Sequence, residues 1–306
     1  MRPVFYEPSG RVPASIALVL VCALAGAGIG ALPYAWLSSG DDWVFIILGA
    51  WIFALWLAFL VKSACHLAKI RNPGVMRQFG FVVGAAGWAG QWIFWIVFVS
   101  YGPVRNMPGL SLAIPVADLL ADPGTFLHAL RMVLAASGWF DDAFYMLVRS
   151  MFWCCELSML LMYPGQAGLA YAGKPFCEAS GRWIPPTMLP QNFTADILPG
   201  SRTHFSGHPD QLLNALSPLK SARPCYAKVT FYTGKTGIFM SVQVTRRSFV
   251  GGQERVDEEM LVEYLRVPAT DVELFMQRLS MRPQARARSR RQKAKRAAVK
   301  KTQASS

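Results

Sequence analysis

Glu156 sits deep within a long apolar run, and that placement is the sharpest chemical signal in the sequence. A carboxyl group is costly in hydrocarbon, normally faces the interior of a helix bundle, and marks an ion or substrate path by default. Arg149 lies seven residues earlier, near enough to the end of the run for its long side chain to reach the interface. The competing account is packing, with Glu156 protonated or hydrogen-bonded to an indole such as that of Trp88 or Trp92. No second clear intramembrane carboxylate or histidine is present to make a proton relay.

A second group of residues could ligate metal: Cys177, His204, His208 and Cys225. Zinc takes four sulfur or nitrogen ligands, and His-x3-His is an allowed spacing. The pattern departs from a zinc ribbon, because Ser180 stands where a second cysteine would close Cys-x2-Cys, and Cys225 is alone. The expectation is no metal, with zinc as the weak alternative. Gly234-Lys235-Thr236 lacks the upstream glycine of a phosphate loop and reads as a hairpin turn. Walker, dinucleotide-binding, His-Glu-x2-His and Gly-x-Ser-x-Gly signatures are all missing, so no catalytic residues and no enzyme activity are expected.

These groups need elements to hold them. The 306 residues are 53% hydrophobic and only 16% charged, against about 25% charged in soluble domains. The apolar excess precedes residue 174 and resolves into four runs, about 14–37, 43–61, 79–104 and 143–171. A helix of about 20 apolar residues crosses a hydrocarbon core of about 30 Å. An α-helical membrane bundle of four transmembrane helices follows. The uncharged stretch near the N-terminus exceeds a signal-peptide core, so it is read as an uncleaved span. Lys62, Lys69, Arg71 and Arg77 crowd the turn between the second and third runs, which places that turn, and with it both termini, in the cytoplasm. The acidic link 38–42 belongs outside.

Between the third and fourth runs, Pro115, Asp118, Asp122 and Pro123 interrupt any span, leaving the 110–136 region interfacial or re-entrant. Phe126, Leu127, Leu130, Val133 and Leu134 share a helical face apart from His128 and Arg131, which suggests a periplasmic interfacial helix at about 125–136. Of the six cysteines, Cys22, Cys65, Cys154 and Cys155 read as packing residues, and no disulfide framework is expected.

Residues 1–13 form a cytoplasmic N-terminus, 14–173 the membrane region, and 174–280 a cytoplasmic α+β domain. In that domain 175–221 reads as irregular apart from a helix over 209–216. Tyr226–Tyr232 and Gly237–Thr245 read as a hairpin, 250–257 as a polar connection, 260–267 as a strand, and 268–280 as a helix capped by Thr270. The formal charge of +13 is mainly local: beyond Ser280 lie ten Lys or Arg and no acid. This basic tail, 281–306, lacks the apolar residues to form a core and is expected to be disordered. Its Arg286, Arg288, Arg290, Arg291, Lys293, Lys295 and Arg296 suit contact with anionic lipid or with RNA phosphates.

Four motifs in order, Phe5-x2-Pro8-Ser9-Gly10, Lys69-x-Arg71-Asn72-Pro73, Trp153-x2-Glu156 and Cys177-Glu178-x2-Gly181-x-Trp183, resemble an uncharacterised family of bacterial multi-pass inner-membrane proteins. The resemblance covers most of the membrane half and the start of the cytoplasmic half. It implies architecture and no activity. Members of that family tend to carry a cysteine where Ser180 stands, so any family metal or thiol role is in doubt for this chain. The expected function is a non-enzymatic, membrane-anchored interaction or scaffold module with an unknown protein partner and possible homo-oligomerisation. The alternative is a small transporter or channel component using Glu156.

Overall fold

The computed structural model describes residues 5–39, 43–101, 119, 121–136, 143–194, 209–219, 223–250 and 253–280. They fall into two units, one spanning Pro8–Lys174 and one uniting the first residues with the chain from Pro175 onward.

The first unit is helical: α1 (Ile16–Ser38), α2 (Trp43–Ala68), α3 (Pro73–Tyr101), α4 (Pro123–Ala136) and α5 (Ala143–Ala172). Among the described residues, α1, α2, α3 and α5 are long and apolar enough to cross a membrane. Their packing inverts the soluble pattern. Ala23, Ala27, Ala31, Ala50, Ala54 and Ala58 are buried, whereas Leu18, Val21, Ile29, Val44, Ile52 and Phe59 are exposed. In water such an apolar exterior would be penalised at about 25 cal/mol per Å². Against lipid it is not, and small inward residues let the helices approach closely.

Local chemistry explains the α2–α3 turn. Lys69 ends α2 with a positive φ of 54°, and Asn72 caps α3 by accepting the Val75 N–H at 3.0 Å, with Pro73 at the first helical position. Helix α2 runs past the expected 43–61 through Lys62 and His66, and α3 starts at Pro73 rather than 79. The reason is that the backbone continues helical through the basic residues and stops only at its caps. Gly10 and Arg11 tie the entering chain to this turn through Gly10 N–H to Arg71 O (3.1 Å) and Arg71 N–H to Arg11 O (3.0 Å).

Helices α3 and α5 pack antiparallel at backbone range. A Cβ added at Gly80 would strike Pro164, one at Gly84 the Leu160 carbonyl, and one at Gly168 the Met76 carbonyl. Pro164 cannot donate to the Leu160 carbonyl four residues earlier, and the bare Cα of Gly84 fills that position instead.

Helix α4 begins at Pro123, slightly before the expected 125. Asp122, which reads in sequence as a breaker, is its cap: Oδ1 accepts the Gly124 N–H at 3.0 Å and Oδ2 the Thr125 N–H at 2.9 Å. Its buried face is Ala129 with Phe126, Leu130 and Met132, against Ile93, Trp95, Ile96 and Val97 of α3. Leu127, expected on that face, is exposed.

The second unit is built on an antiparallel sheet. Its strands are β1 (Phe176–Cys177), β2 (Arg182–Trp183), β3 (Pro186–Met188), β4 (Phe193–Thr194), β5 (Cys225–Gly234), β6 (Gly237–Val250) and β7 (Gln253–Val267). The main sheet runs β3-β5-β6-β7 with β4 also on β5, while β1 and β2 form a separate small hairpin. Helices α6 (Pro209–Ala215) and α7 (269–280) cover one side, burying Leu212, Leu213 and Phe275 with Phe193, Val229 and Met240.

The hairpin expected around Lys235-Thr236 is present, closed by Gly234 opposite Gly237. Three expectations need correction. Residues 175–221 supply four short strands, two of which complete the sheet on the open side of β5. Within the segment read as a polar connection, 250–257, Val250 ends β6 and 253–257 opens β7, because its charged residues suit a ribbon exposed on both faces. Helix α7 starts on Pro268, whose carbonyl accepts the Asp271 N–H at 3.1 Å, so Thr270 lies inside it. Near the N-terminus, Phe5 bridges Leu265 and Tyr6 N–H donates to Tyr264 O at 2.9 Å, on the free side of β7.

Candidate functional site

Glu156 lies at the middle of α5 and is 5% exposed. It borders a cavity of about 70 Å³ that is also lined by Tyr34 and Ser38 of α1, Trp43 and Ile46 of α2, Gln91, Trp92 and Trp95 of α3, and Arg149, Phe152 and Trp153 of α5. Tyr34, Gln91 and Trp92 are each as buried as Glu156. The aromatic wall is continuous: Trp92 meets Trp153 edge-on at 4.5 Å, Trp95 at 5.4 Å and Trp88 at 6.0 Å.

Four buried side-chain atoms on this lining have no hydrogen-bond partner of good geometry among the described residues: Tyr34 Oη, Gln91 Oε1, Trp92 Nε1 and Glu156 Oε1. Tyr34 and Glu156 lie within reach of each other and interact as a loose hydrogen bond, which falls short of strict geometry at Tyr34 Oη and Glu156 Oε1. The indoles of Trp88 and Trp92, considered above as partners for Glu156, are themselves unpaired at Nε1. Native interiors leave only a few such atoms per 100 residues, each costing about 1–3 kcal/mol. Their concentration in one chamber makes it the candidate site.

Arg149 stands at the mouth, its guanidinium 5.9 Å from the Trp43 ring. Sequence reasoning found Glu156 and Arg149 and missed Tyr34 and Gln91. Nothing in the local sequence of α1 or α3 signals which polar residue turns inward. The third helix period would have put Gln91 on the face of Gly84 and Gly87, and that was the available hint.

The proposed metal constellation does not assemble. Cys177 lies at the Gly234 end of β5, next to the Lys235-Thr236 turn, whereas Cys225 opens β5. Nine strand steps of about 3.3 Å separate the two ends by roughly 30 Å, far beyond one ion's coordination sphere. His204 and His208 lie outside the described residues, as do Arg286, Arg288, Arg290, Arg291, Lys293, Lys295 and Arg296 of the tail. Among the described residues no three of His, Cys, Asp and Glu cluster to hold a metal.

Cys177 has a different character. Gly181, at φ 63°, turns the β1–β2 hairpin so that its N–H donates to Cys177 O at 2.8 Å. The thiol is pushed down to about 6, first by the Ser180 hydroxyl donating toward sulfur, then by the backbone N–H groups of Ser180 and Lys235 and the Thr236 hydroxyl, with burial opposing them.

The second unit carries one further exposed feature. Strands β6 and β7 continue as a two-stranded ribbon after β5 stops opposite Arg246. Arg247 pairs with Val256 and Phe249 with Glu254, which puts Phe249 and Val256 on one face of the ribbon. Both are solvent-exposed, Phe249 at 76%. Around them run surface ion pairs, Arg247–Glu254 at 3.3 Å and Arg246–Glu259 at 3.7 Å, of the exposed kind that adds little stability.

No family model, curated protein or solved structure matches this chain.

Proposed function

We propose that this chain is a four-span bacterial inner-membrane protein with both termini in the cytoplasm, whose second unit is a non-enzymatic interaction module. The observation that carries the module is the β6–β7 ribbon, which outruns its sheet and holds Phe249 and Val256 in the open without contributing to the core. An exposed aromatic beside paired charges is the composition of a docking surface. The pairing of Phe5 and Tyr6 with β7 supports an even number of crossings, with the N-terminus and the second unit on one side of the bilayer. The basic α2–α3 turn favours the cytoplasm for that side. The motif order described above supports membership of the bacterial multi-pass family, and the basic tail suits anionic lipid or RNA. The test is a photo-crosslinking residue at position 249 in the full chain: discrete adducts that vanish with Val256→Asp support the module. Native associations unaltered by removal of 248–255 reject it.

A second reading, a small transporter or channel component, is favoured by one observation: a buried carboxyl at mid-span beside a polar cavity. Ion flux in proteoliposomes, compared between the native chain and Glu156→Gln, tests it directly.

A further inference from the structure

We propose that Glu156 is a proton-binding site that exchanges with water at only one end of the bundle, the end formed by Ser38, Trp43 and Arg149. The inference rests on the bundle site of the second reading and is independent of the ribbon.

The first support is the valence of the cavity. Its unpaired atoms are two donors, Tyr34 Oη–H and Trp92 Nε1–H, and two acceptors, Gln91 Oε1 and Glu156 Oε1, each on a side chain at least nine-tenths buried. Two donors and two acceptors complement a species that itself donates and accepts, which is water or its protonated form. A pure cation would leave the indole and hydroxyl hydrogens unmatched, and a pure anion would face the carboxyl and amide oxygens. The volume of about 70 Å³ suits so small a guest, since a water molecule's share of the liquid is about 30 Å³. The step is a simple exchange: hydronium passes a proton to the Glu156 carboxylate, leaving water and a neutral carboxylic acid, and release reverses it.

The second support is direction. Ser38 ends α1, Trp43 and Ile46 open α2, Gln91, Trp92 and Trp95 lie in the last third of α3, and Arg149 lies near the start of α5. All belong to the end opposite the Lys62–Arg77 turn. Toward that turn the way is closed. Gly80 and Gly84 press on the backbone of Leu160 and Pro164, and Leu57 and Leu160 are fully buried. Among the described residues, the titratable or charged groups facing Glu156 are Tyr34 from α1 and Arg149 on its own helix; α2 and α3 offer Trp43, Ile46, Gln91 and Trp92, which carry no charge. Arg149 at the mouth repels metal cations while leaving water free to pass.

Infrared difference spectroscopy of the full chain in oriented proteoliposomes tests this, using the C=O stretch of a protonated carboxylic acid, assigned by its loss in Glu156→Gln and its shift in Glu156→Asp. The expected result is a band that moves in D2O and bleaches when pH is raised on the side bearing Ser38 and Arg149, with no response from the other side. A band indifferent to pH on both sides, or one that responds from the side of the basic turn, overturns the proposal. A band that titrates as expected in vesicles showing no proton flux upholds this site and removes the transport reading, so the two fail separately.

Discussion

The hydroxyl of Tyr34 and the carboxyl of Glu156 approach from α1 and α5, and neither Tyr34 Oη nor Glu156 Oε1 completes a hydrogen bond. The pair is held together by the surrounding helices rather than holding them together. Removing the Tyr34 hydroxyl should therefore cost little stability. Tyr34→Phe is expected to unfold in detergent within about 1 kcal/mol of the native chain, since the hydroxyl's partner is an exchangeable cavity water. A loss above about 2 kcal/mol would show that the hydroxyl is bonded within the protein.

Close helix contact makes an opposite forecast. Gly84→Ala forces a methyl onto the Leu160 carbonyl and should destabilise by about 1–3 kcal/mol, the usual penalty of overpacking. Gly28 has open space around it, so Gly28→Ala should be neutral or gain up to about 1 kcal/mol from helix propensity. Thermal unfolding of both variants in one detergent makes the comparison.

Cys177 gives a pH dependence with a definite sign. Its thiol ionises near 6 in the folded chain rather than near its ordinary 9.0, so the folded state binds fewer protons than the unfolded one between those values. The stabilisation is fully present above pH 9 and falls away as pH drops toward 6. Ser180→Ala should move the thiol's ionisation upward, toward the ordinary value. Ultraviolet thiolate absorbance, with a Cys177→Ser control, reads the shift.

The proposed cytoplasmic location of both ends is testable with reporters. Alkaline phosphatase fused after Ser280 should be inactive and a cytoplasmic fluorescent protein there should be bright, with the same pair of results for fusions ahead of residue 5. A split result between the two ends would contradict the Tyr6–Tyr264 pairing.

Phe249 and Val256 predict a surface effect without a fold effect. Serine at both positions should change stability by less than about 0.5 kcal/mol, since neither joins the core. The doubly substituted chain should also lose the adducts formed from position 249.

Four long helices were legible because apolar runs of about twenty residues, broken in the fourth only by Arg149 and Glu156, leave the backbone few alternatives to a helix in lipid. The β5–β6 hairpin was legible for a similarly local reason, a glycine-flanked turn between alternating strands. Residues 175–221 were not, since two- and three-residue strands carry no period of their own and exist only because β5 offers an open edge. In the cavity, Glu156 announced itself through the cost of a carboxyl in an apolar run. Tyr34 and Gln91 did not, because a phenol or amide near a helix end is ordinary until its neighbours turn it inward. Cys177 and Cys225, weak zinc candidates by type, are separated by the length of a strand whose direction only the fold supplies.

The Phe5 and Tyr6 contacts with β7 impose a schedule on biosynthesis. The ribosome makes those two residues long before Tyr264 and Leu265. Phe5 and Tyr6 thus wait, unmated, while helices α1 to α5 are synthesised and packed. Closure of that sheet edge becomes a late checkpoint, reached only by chains whose helical half has already been made.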